Sequence, residues 1–596
     1  MVHPIQNVYQ SGYVQRLQVA ERAIDLCAAL EVGDIGGRLE NDNYKQATGG
    51  TMPTSPRAAN GEPYDVTIVG AGMAGLYSAW RLLSQVPQPR LCFLEESNRV
   101  GGRLDSYTFT DRGADVTVEL GGMRFQDSMA LVAKLVSRLK LATASFPLSS
   151  NRLFYLRGMP IWEKEITEQP PVPVSLPYRL PQSLLNKTAD QLFNWAVSRA
   201  VGNSNAPNWS TEQWKAYVLA NTYTSPPGKR QAFKNVKFWD VGFWNLLYDQ
   251  VGDEGYRYLT DAGGYDSNTI NWNSALAMPY VASGDYASSA KYLKLVDGYS
   301  ALPRALAQAI EEKLAIQFCT RLVGFTKDGT GLLNLSINNE DSGPATIQTK
   351  SLMLCMPRRS LELLDPDIEF STYLRDFGLI DSVLRQPSFK LLMLFDQEWW
   401  KQVKIRGYTL QRYGPTITDL PLRMIWYFDD LKMHYNDGRQ APANYWALLA
   451  SYSDMVTEQF WKGLETLVPG SSPSAPVIPA PPEMVNMALD QLERVHGMPI
   501  PQPVAAVFKD WGADPFGAGY HAWAVGPQPW DTYVRMFHPM DSYQVYICGE
   551  AYSLDQGWVE GALRTAETVL LKYFGIPPLE GVHPEYVKSG ARHHGY

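Results

Sequence analysis

The chain has 596 residues, too many for one hydrophobic core, so two or three domains are expected. Hydrophobic residues make up 45% and charged residues 19%, the balance of a globular protein. The formal net charge of -8, with no long basic run, argues against nucleic-acid binding.

No apolar run approaches the roughly 18 residues of a membrane span. The N-terminus "MVHPIQNVYQSG" lacks the apolar core of a secretory signal, so a cytoplasmic protein without membrane contact is expected. The five cysteines, Cys27, Cys92, Cys319, Cys355 and Cys548, form no metal or redox spacing, and no metal site is expected. Cys92, Cys355 and Cys548 lie in strand-like apolar runs and read as buried free thiols of a reducing compartment.

In chain order, residues 1–60 read as an N-terminal extension: an amphipathic helix near Val14 to Glu31, then the polar lead-in "GGTMPTSPRAANGEP". "YDVTIVGAGMAG" starts an α/β unit. Proline-rich stretches at Glu168–Gln182 and Pro469–Glu483 read as surface loops or interdomain crossings, with a signalling ligand as the alternative. The pattern is mostly helical from about 184 to 262. Short strand-like runs such as "FKLLMLFD" and "LRMIWYF" dominate from about 386 to 455. Residues 576–596 read as a C-terminal tail, and no internal repeat is visible.

Gly70, Gly72 and Gly75 have G-x-G-x-x-G spacing, with Met73 and Ala74 between the last two. The motif follows a β-branched strand and opens a helical run, the context of a dinucleotide site. Gly70 allows the tight turn, Gly72 lets a pyrophosphate approach the backbone, and Gly75 lets helix and strand pack closely. The helix N-terminus supplies N–H groups for the phosphates. A second strand, "RLCFLEE", ends in Glu95 and Glu96; Glu95 lies where a carboxylate accepts ribose hydroxyls. A glycine turn without a ligand is the plainer alternative. A second glycine turn, "NRVGGRLDSY", places Gly101, Gly102 and Arg103 just downstream, more than a nicotinamide site needs and typical of FAD-binding folds.

Other residues leave two readings open. Arg124, after Gly122 and Met123 in "VELGGMRFQD", is either a bidentate carboxylate clamp or half of a structural salt bridge. Lys390 begins an apolar strand and either snorkels to solvent or meets a bound water. Tyr427 is a site hydroxyl or a core residue. His521 is a pocket wall or, more simply, structural. Trp558, beside Gly557 and just before a helical run, is a buried structural tryptophan or the wall of a slot.

"LEESNRVGGR" and "ICGEAYSLDQGWVEGAL" resemble segments of the flavin amine oxidases. "GGMRF", "DAGGYDSNTINWN" and "WGADPFGAGYHAWAVG" are similar to the L-amino acid oxidase branch, in particular its bacterial and fungal enzymes acting on phenylalanine, lysine or arginine. The resemblance spans about residues 64 to 575.

That resemblance implies an α/β fold. A discontinuous Rossmann-like FAD domain (61–105, 288–358 and 530–575) carries a mixed-sheet substrate domain (106–165 and 359–529) and a helical insert (166–287). It implies that Gly549, Glu550 and Val559 frame the flavin, with Glu550 meeting the ribityl chain, and that Val323 touches adenine. Arg124 and Tyr427 would hold a substrate carboxylate. The Gly557 carbonyl would take the amine, Trp558 would form a cage wall, and Lys390 would hold a water near flavin N5. No cysteine lies around Asp514–Trp523, where monoamine oxidases tether their flavin, so FAD is expected to be noncovalent. The implied reaction is oxidative deamination of an L-amino acid by O2, in a dimer or larger homo-oligomer. An amino acid 2-monooxygenase, an amine or polyamine oxidase, and a nucleotide-binding scaffold without turnover are the alternatives. Asp429, Asp430 and Asp514 are candidate carboxylates for a basic side chain.

Overall fold

A computed structural model of the chain describes residues 62–109, 116–167, 174–228, 231–282, 291–411, 413–428, 445–465 and 478–589. The helix expected near Val14 to Glu31, and Asp429 and Asp430, lie outside these residues.

The first strand, Tyr64–Val69, is β-branched and ends in four consecutive buried residues, the mark of a strand covered on both faces. It pairs in parallel with Leu91–Leu94 on one side and with the long strand Gly343–Leu354 on the other. Ile316–Gln317 extends the sheet beyond Leu91–Leu94. The far edge of Gly343–Leu354 is shared in succession. Its first half takes Leu333–Asn339 antiparallel and its end takes Val545–Ile547 parallel, with Thr320–Lys327 outermost. One seven-stranded sheet is thus assembled from three separated stretches of chain.

Helix Met73–Leu82 covers this sheet and packs on helices Ala301–Ile310 and Val559–Phe574. The last buries Leu563, Ala566, Val569 and Leu570, the spacing of one helical face. Each large apolar side chain there contributes roughly 1.5–3 kcal/mol. The tail expected at 576–596 is packed as far as Val587. Ile576, Leu579, Val582, Tyr586 and Val587 are buried against the same core, and the Tyr586 hydroxyl bonds Glu560.

A second, mixed sheet of eight strands runs from Ile478–Pro479 to Met159–Trp162, with Ser388–Phe395 paired between Ala505–Asp510 and Trp446–Asp454. Its strands alternate cleanly between faces. Phe389, Leu391, Met393 and Phe395 pack on one side with Trp461 and Leu492. Leu392 and Leu394 face the other side, with Trp426, Leu449 and the helical insert. In that insert, capping boxes (Thr188 with Gln191, Ser210 with Gln213) start helices Ala189–Val201 and Thr211–Ala220. Phe243–Ala262 and Ser274–Ala282 complete it. Cys92, Cys355 and Cys548 are free and buried, as expected. Among the described residues no helix is long and apolar enough to cross a membrane.

Candidate active site

One continuous cavity of about 570 Å³ runs from the first glycine turn to the mixed sheet. Its near end is built by the turn after Tyr64–Val69. Gly70 has φ +101°, and a Cβ there would stand 2.5 Å from the Cys355 carbonyl oxygen. A Cβ on Gly75 would overlap the Gly70 carbonyl, so helix and turn meet only because Gly75 has none. Gly72 is different: nothing lies within 4 Å of where its Cβ would be, and it faces the cavity as the N-cap of helix Met73–Leu82.

Glu95 closes this end. Its carboxylate accepts the Ala71 N–H at 2.6 Å, the Ser97 N–H at 2.9 Å and the Ser97 hydroxyl at 2.7 Å. Glu96, half-exposed beside Arg321 at 3.9 Å, has its carboxyl pushed up by burial. Bare glycine backbone at a helix N-terminus, with a carboxylate fixed at the next strand end, fits a pyrophosphate-bearing nucleotide.

The middle of the cavity is tied by Glu550. One oxygen accepts the N–H groups of His521 at 2.9 Å and Gly557 at 2.7 Å. The other lies 2.9 Å from Arg103 Nη1 and 3.0 Å from His521 Nδ1. Burial raises the Glu550 carboxyl, but Arg103 and His521 outweigh it and hold the group at about 2. Both oxygens thus serve protein donors that fix the Gly557 turn. Gly557 has φ +83°, and Trp558 precedes the helix Val559–Phe574 as its N-cap. His521 is a structural partner of Glu550 and does not line the cavity.

At the far end Arg124 is 5% exposed. Its guanidinium lies 4.5 Å from the Tyr292 ring centroid, 4.8 Å from Trp426 and 5.5 Å from Phe146. Tyr292 in turn stacks on Trp558, with centroids 6.2 Å apart. Lys390 donates to the carbonyls of Glu119 (3.1 Å) and Gly121 (2.5 Å). Burial lowers its ammonium to about 7, against the pull of Glu119.

The cavity therefore gathers Gly70, Gly72, Met73, Ala74, Glu95, Glu96, Gly102, Arg103, Gly122, Met123, Arg124, Lys390, Gly549, Glu550, Gly557, Trp558 and Val559. Gly75 lies behind it as a packing residue. Two expectations are corrected. Tyr427 points to the opposite face of the mixed sheet, where its hydroxyl bonds Thr416 at 2.8 Å and His496 at 2.7 Å. Strand alternation turns Trp426 toward Arg124 in its place. Val323 is 39% exposed and unpaired at a β-bulge between Leu322 and Gly324, its carbonyl taking the Asp365 N–H. Thr320, Arg321 and Leu322 line the cavity there instead.

Asp514 is held by Arg359 at the surface. Six aromatic residues of the cavity lining, Tyr265, Tyr280, Tyr299, Tyr452, Phe516 and Tyr520, were not singled out by the sequence. Tyr520 lies in "WGADPFGAGYHAWAVG", a segment similar to the L-amino acid oxidase branch, so its aromatic ring was the available signal.

Over 547 residues the chain is 24% identical to aplysianin-A of Aplysia kurodai, covering 86% of this chain and 90% of that protein. It is 22% identical over 505 residues to an L-amino-acid oxidase of Siganus canaliculatus, covering 84% and 83%. The fold is shared with putrescine oxidase bound to putrescine, at a TM-score of 0.58 and 16% identity over 86% of this chain and 99% of that one. The sequence matches the family described as "Flavin containing amine oxidoreductase" over residues 73–569, from the start of helix Met73–Leu82 into helix Val559–Phe574, and the chain belongs to that family.

Proposed function

We propose that the protein oxidatively deaminates L-amino acids to 2-oxo acid, ammonia and hydrogen peroxide, using noncovalent FAD. The observation that carries this reading is Arg124, a buried guanidinium packed among three aromatic rings in the same cavity as the cofactor-side glycines. A fixed planar cation suits a substrate carboxylate, and a simple amine has none to offer. The relatives named L-amino-acid oxidase support the same choice. The absence of cysteine between Asp514 and Trp523 supports noncovalent binding.

FAD, when bound, supplies the hydride acceptor and is reoxidised by O2 to give peroxide. Gly70, Gly72 and the N-terminus of helix Met73–Leu82 would hold its pyrophosphate, Glu95 its ribose. Arg124 binds the substrate carboxylate and so fixes the direction of the α C–H bond. The Gly557 carbonyl accepts from the substrate amine. Trp558 and Tyr520 bound the slot and exclude water. Lys390, its ammonium lowered by burial and its Nζ tied to the Glu119 and Gly121 carbonyls, would hold a bound water. The α carbon loses hydride and the nitrogen a proton. Water then hydrolyses the imino acid to 2-oxo acid and ammonia.

The test is the visible spectrum of the FAD-loaded protein before and after anaerobic mixing with single L-amino acids. Bleaching by some of them supports the reading. Bleaching by amines alone removes Arg124 from the substrate site. Release of an amide and CO2 in air in place of 2-oxo acid moves the reaction to a monooxygenase.

A further inference from the structure

A buried carboxylate lies behind the cavity wall with no part in the scheme above. Asp454 ends the strand Trp446–Asp454 and is fully buried. An aspartate just before a helix, here Met455–Glu465, is well suited to cap it. The Asp454 carboxylate instead reaches other parts of the chain. One oxygen accepts the Asp266 N–H at 2.7 Å. The other accepts the Ser267 N–H at 3.2 Å and the Tyr520 hydroxyl at 2.5 Å. The Tyr520 hydroxyl is also 2.8 Å from that of Ser267. Tyr520 and Ser267 line the cavity, and Asp454 stands one layer back. The mixed sheet, the helical insert and the segment leading from Asp514 to Trp523 all meet at this side chain.

The charges around it are uneven. Asp266 holds the Arg423 guanidinium at 3.1 Å and the Thr457 hydroxyl at 3.0 Å. The Arg423 guanidinium therefore sits on Asp266, the carboxylate next to Asp454. The charge of Asp454 rests against the Tyr520 hydroxyl. A phenol donating a short bond to an anion becomes more electron-rich over its ring. A Cβ on Gly557 would stand 3.9 Å from the Tyr520 Cβ, so this ring adjoins the turn assigned to the substrate amine. An electron-rich face there attracts a positively charged amine.

We propose that Asp454 is a positioning residue of the substrate site: through the Tyr520 hydroxyl it fixes and polarises the ring against which the substrate amine is held. Its choice of substrate rests on the amino acid reading, but its effect on the wall does not.

Asp454→Asn, Tyr520→Phe and the double variant are prepared as FAD-loaded protein. Two quantities are read: anaerobic flavin reduction by L-phenylalanine, and the Kd of benzyltrimethylammonium, a cation that cannot be oxidised, from the visible band. Each single variant is expected to lose about tenfold in both, with FAD content unchanged, and the double variant to lose no more than the worse single. Losses that multiply in the double variant overturn the proposal. So does Tyr520→Phe behaving within about twofold of the wild type, which decides the matter even if Asp454→Asn fails to fold. A wild-type flavin that L-phenylalanine and other amino acids leave oxidised counts against the amino acid reading alone; the benzyltrimethylammonium series then decides for Asp454.

Discussion

Trp426 and Tyr427 are consecutive on one strand and face opposite sides of the mixed sheet. Trp426 packs 4.8 Å from the Arg124 guanidinium, while the Tyr427 hydroxyl bonds His496 at 2.7 Å in a separate core. Tyr427→Phe is therefore expected to lower stability by about 1–2 kcal/mol, since His496 and Thr416 each lose a buried partner. It should leave kcat/KM for amino acids within about threefold. Trp426→Leu should lose roughly tenfold in kcat/KM, because a desolvated cation–π contact is worth about 2 kcal/mol. Steady-state kinetics with urea unfolding of both variants checks the pair. The reverse pattern restores Tyr427 to the substrate site.

Arg124→Met should cost roughly a hundredfold or more in kcat/KM for amino acids, because a bidentate charged contact is lost inside a dry box of rings. Arg124→Lys should fall between, since an ammonium replaces the planar fork with a point charge. Both should keep FAD, as the guanidinium packs on Tyr292, Trp426 and Phe146, at the other end of the cavity from Gly70 and Gly72. Activity surviving Arg124→Met within about threefold removes the carboxylate assignment.

The glycine-rich end of the cavity was legible because its residues carry their own backbone requirements. Gly70 must turn at positive φ, Gly75 must admit a carbonyl, and Gly549-Glu550 follows a strand that closes the sheet. The substrate side was less legible for a geometric reason. Side chains on a strand repeat every two residues, so a slip of one position reverses the face. "MIWY" is apolar at every position, and nothing in it says whether Trp426 or Tyr427 faces Arg124. Val323 failed similarly, because a bulge adds one residue that no periodicity announces. Asp454 was invisible for another reason: its partners, Asp266, Ser267 and Tyr520, lie 188, 187 and 66 residues away.

Two glycines of the same motif should respond differently to alanine. Gly75→Ala drives a methyl into the Gly70 carbonyl, so the turn must move and the protein should unfold several degrees earlier. Gly72→Ala meets no protein atom within 4 Å, so the melting temperature without cofactor should hold. Its methyl would stand on the cavity wall, and FAD affinity should drop by at least about tenfold. Melting curves and FAD titrations of the cofactor-stripped variants separate the two. Equal FAD affinity for Gly72→Ala and wild type places the pyrophosphate elsewhere.

Glu550 sets an acid limit on the site. Its carboxyl is held at about 2, below the ordinary 4.5, by Arg103 and His521 acting against burial. A carboxyl lowered on folding stabilises the folded state above its unfolded value. That contribution is lost as pH falls from 4.5 toward 2. Glu119 and Asp454 run the other way: burial raises them to about 7 and about 6, so their neutral forms favour folding at lower pH. Comparison with Glu550→Gln cancels those terms. At pH 7 the variant should be less stable by on the order of 3 kcal/mol, because Arg103 and His521 lose their anion. The gap should narrow as pH falls through the window between 4.5 and 2. The variant should also retain less FAD, since the Gly557 N–H then loses its carboxylate partner and the turn before helix Val559–Phe574 loosens. Unfolding free energies of both proteins across that window provide the measurement. A gap that stays constant with pH shows that folding does not lower the Glu550 carboxyl, and that the Arg103 contact does not set its charge.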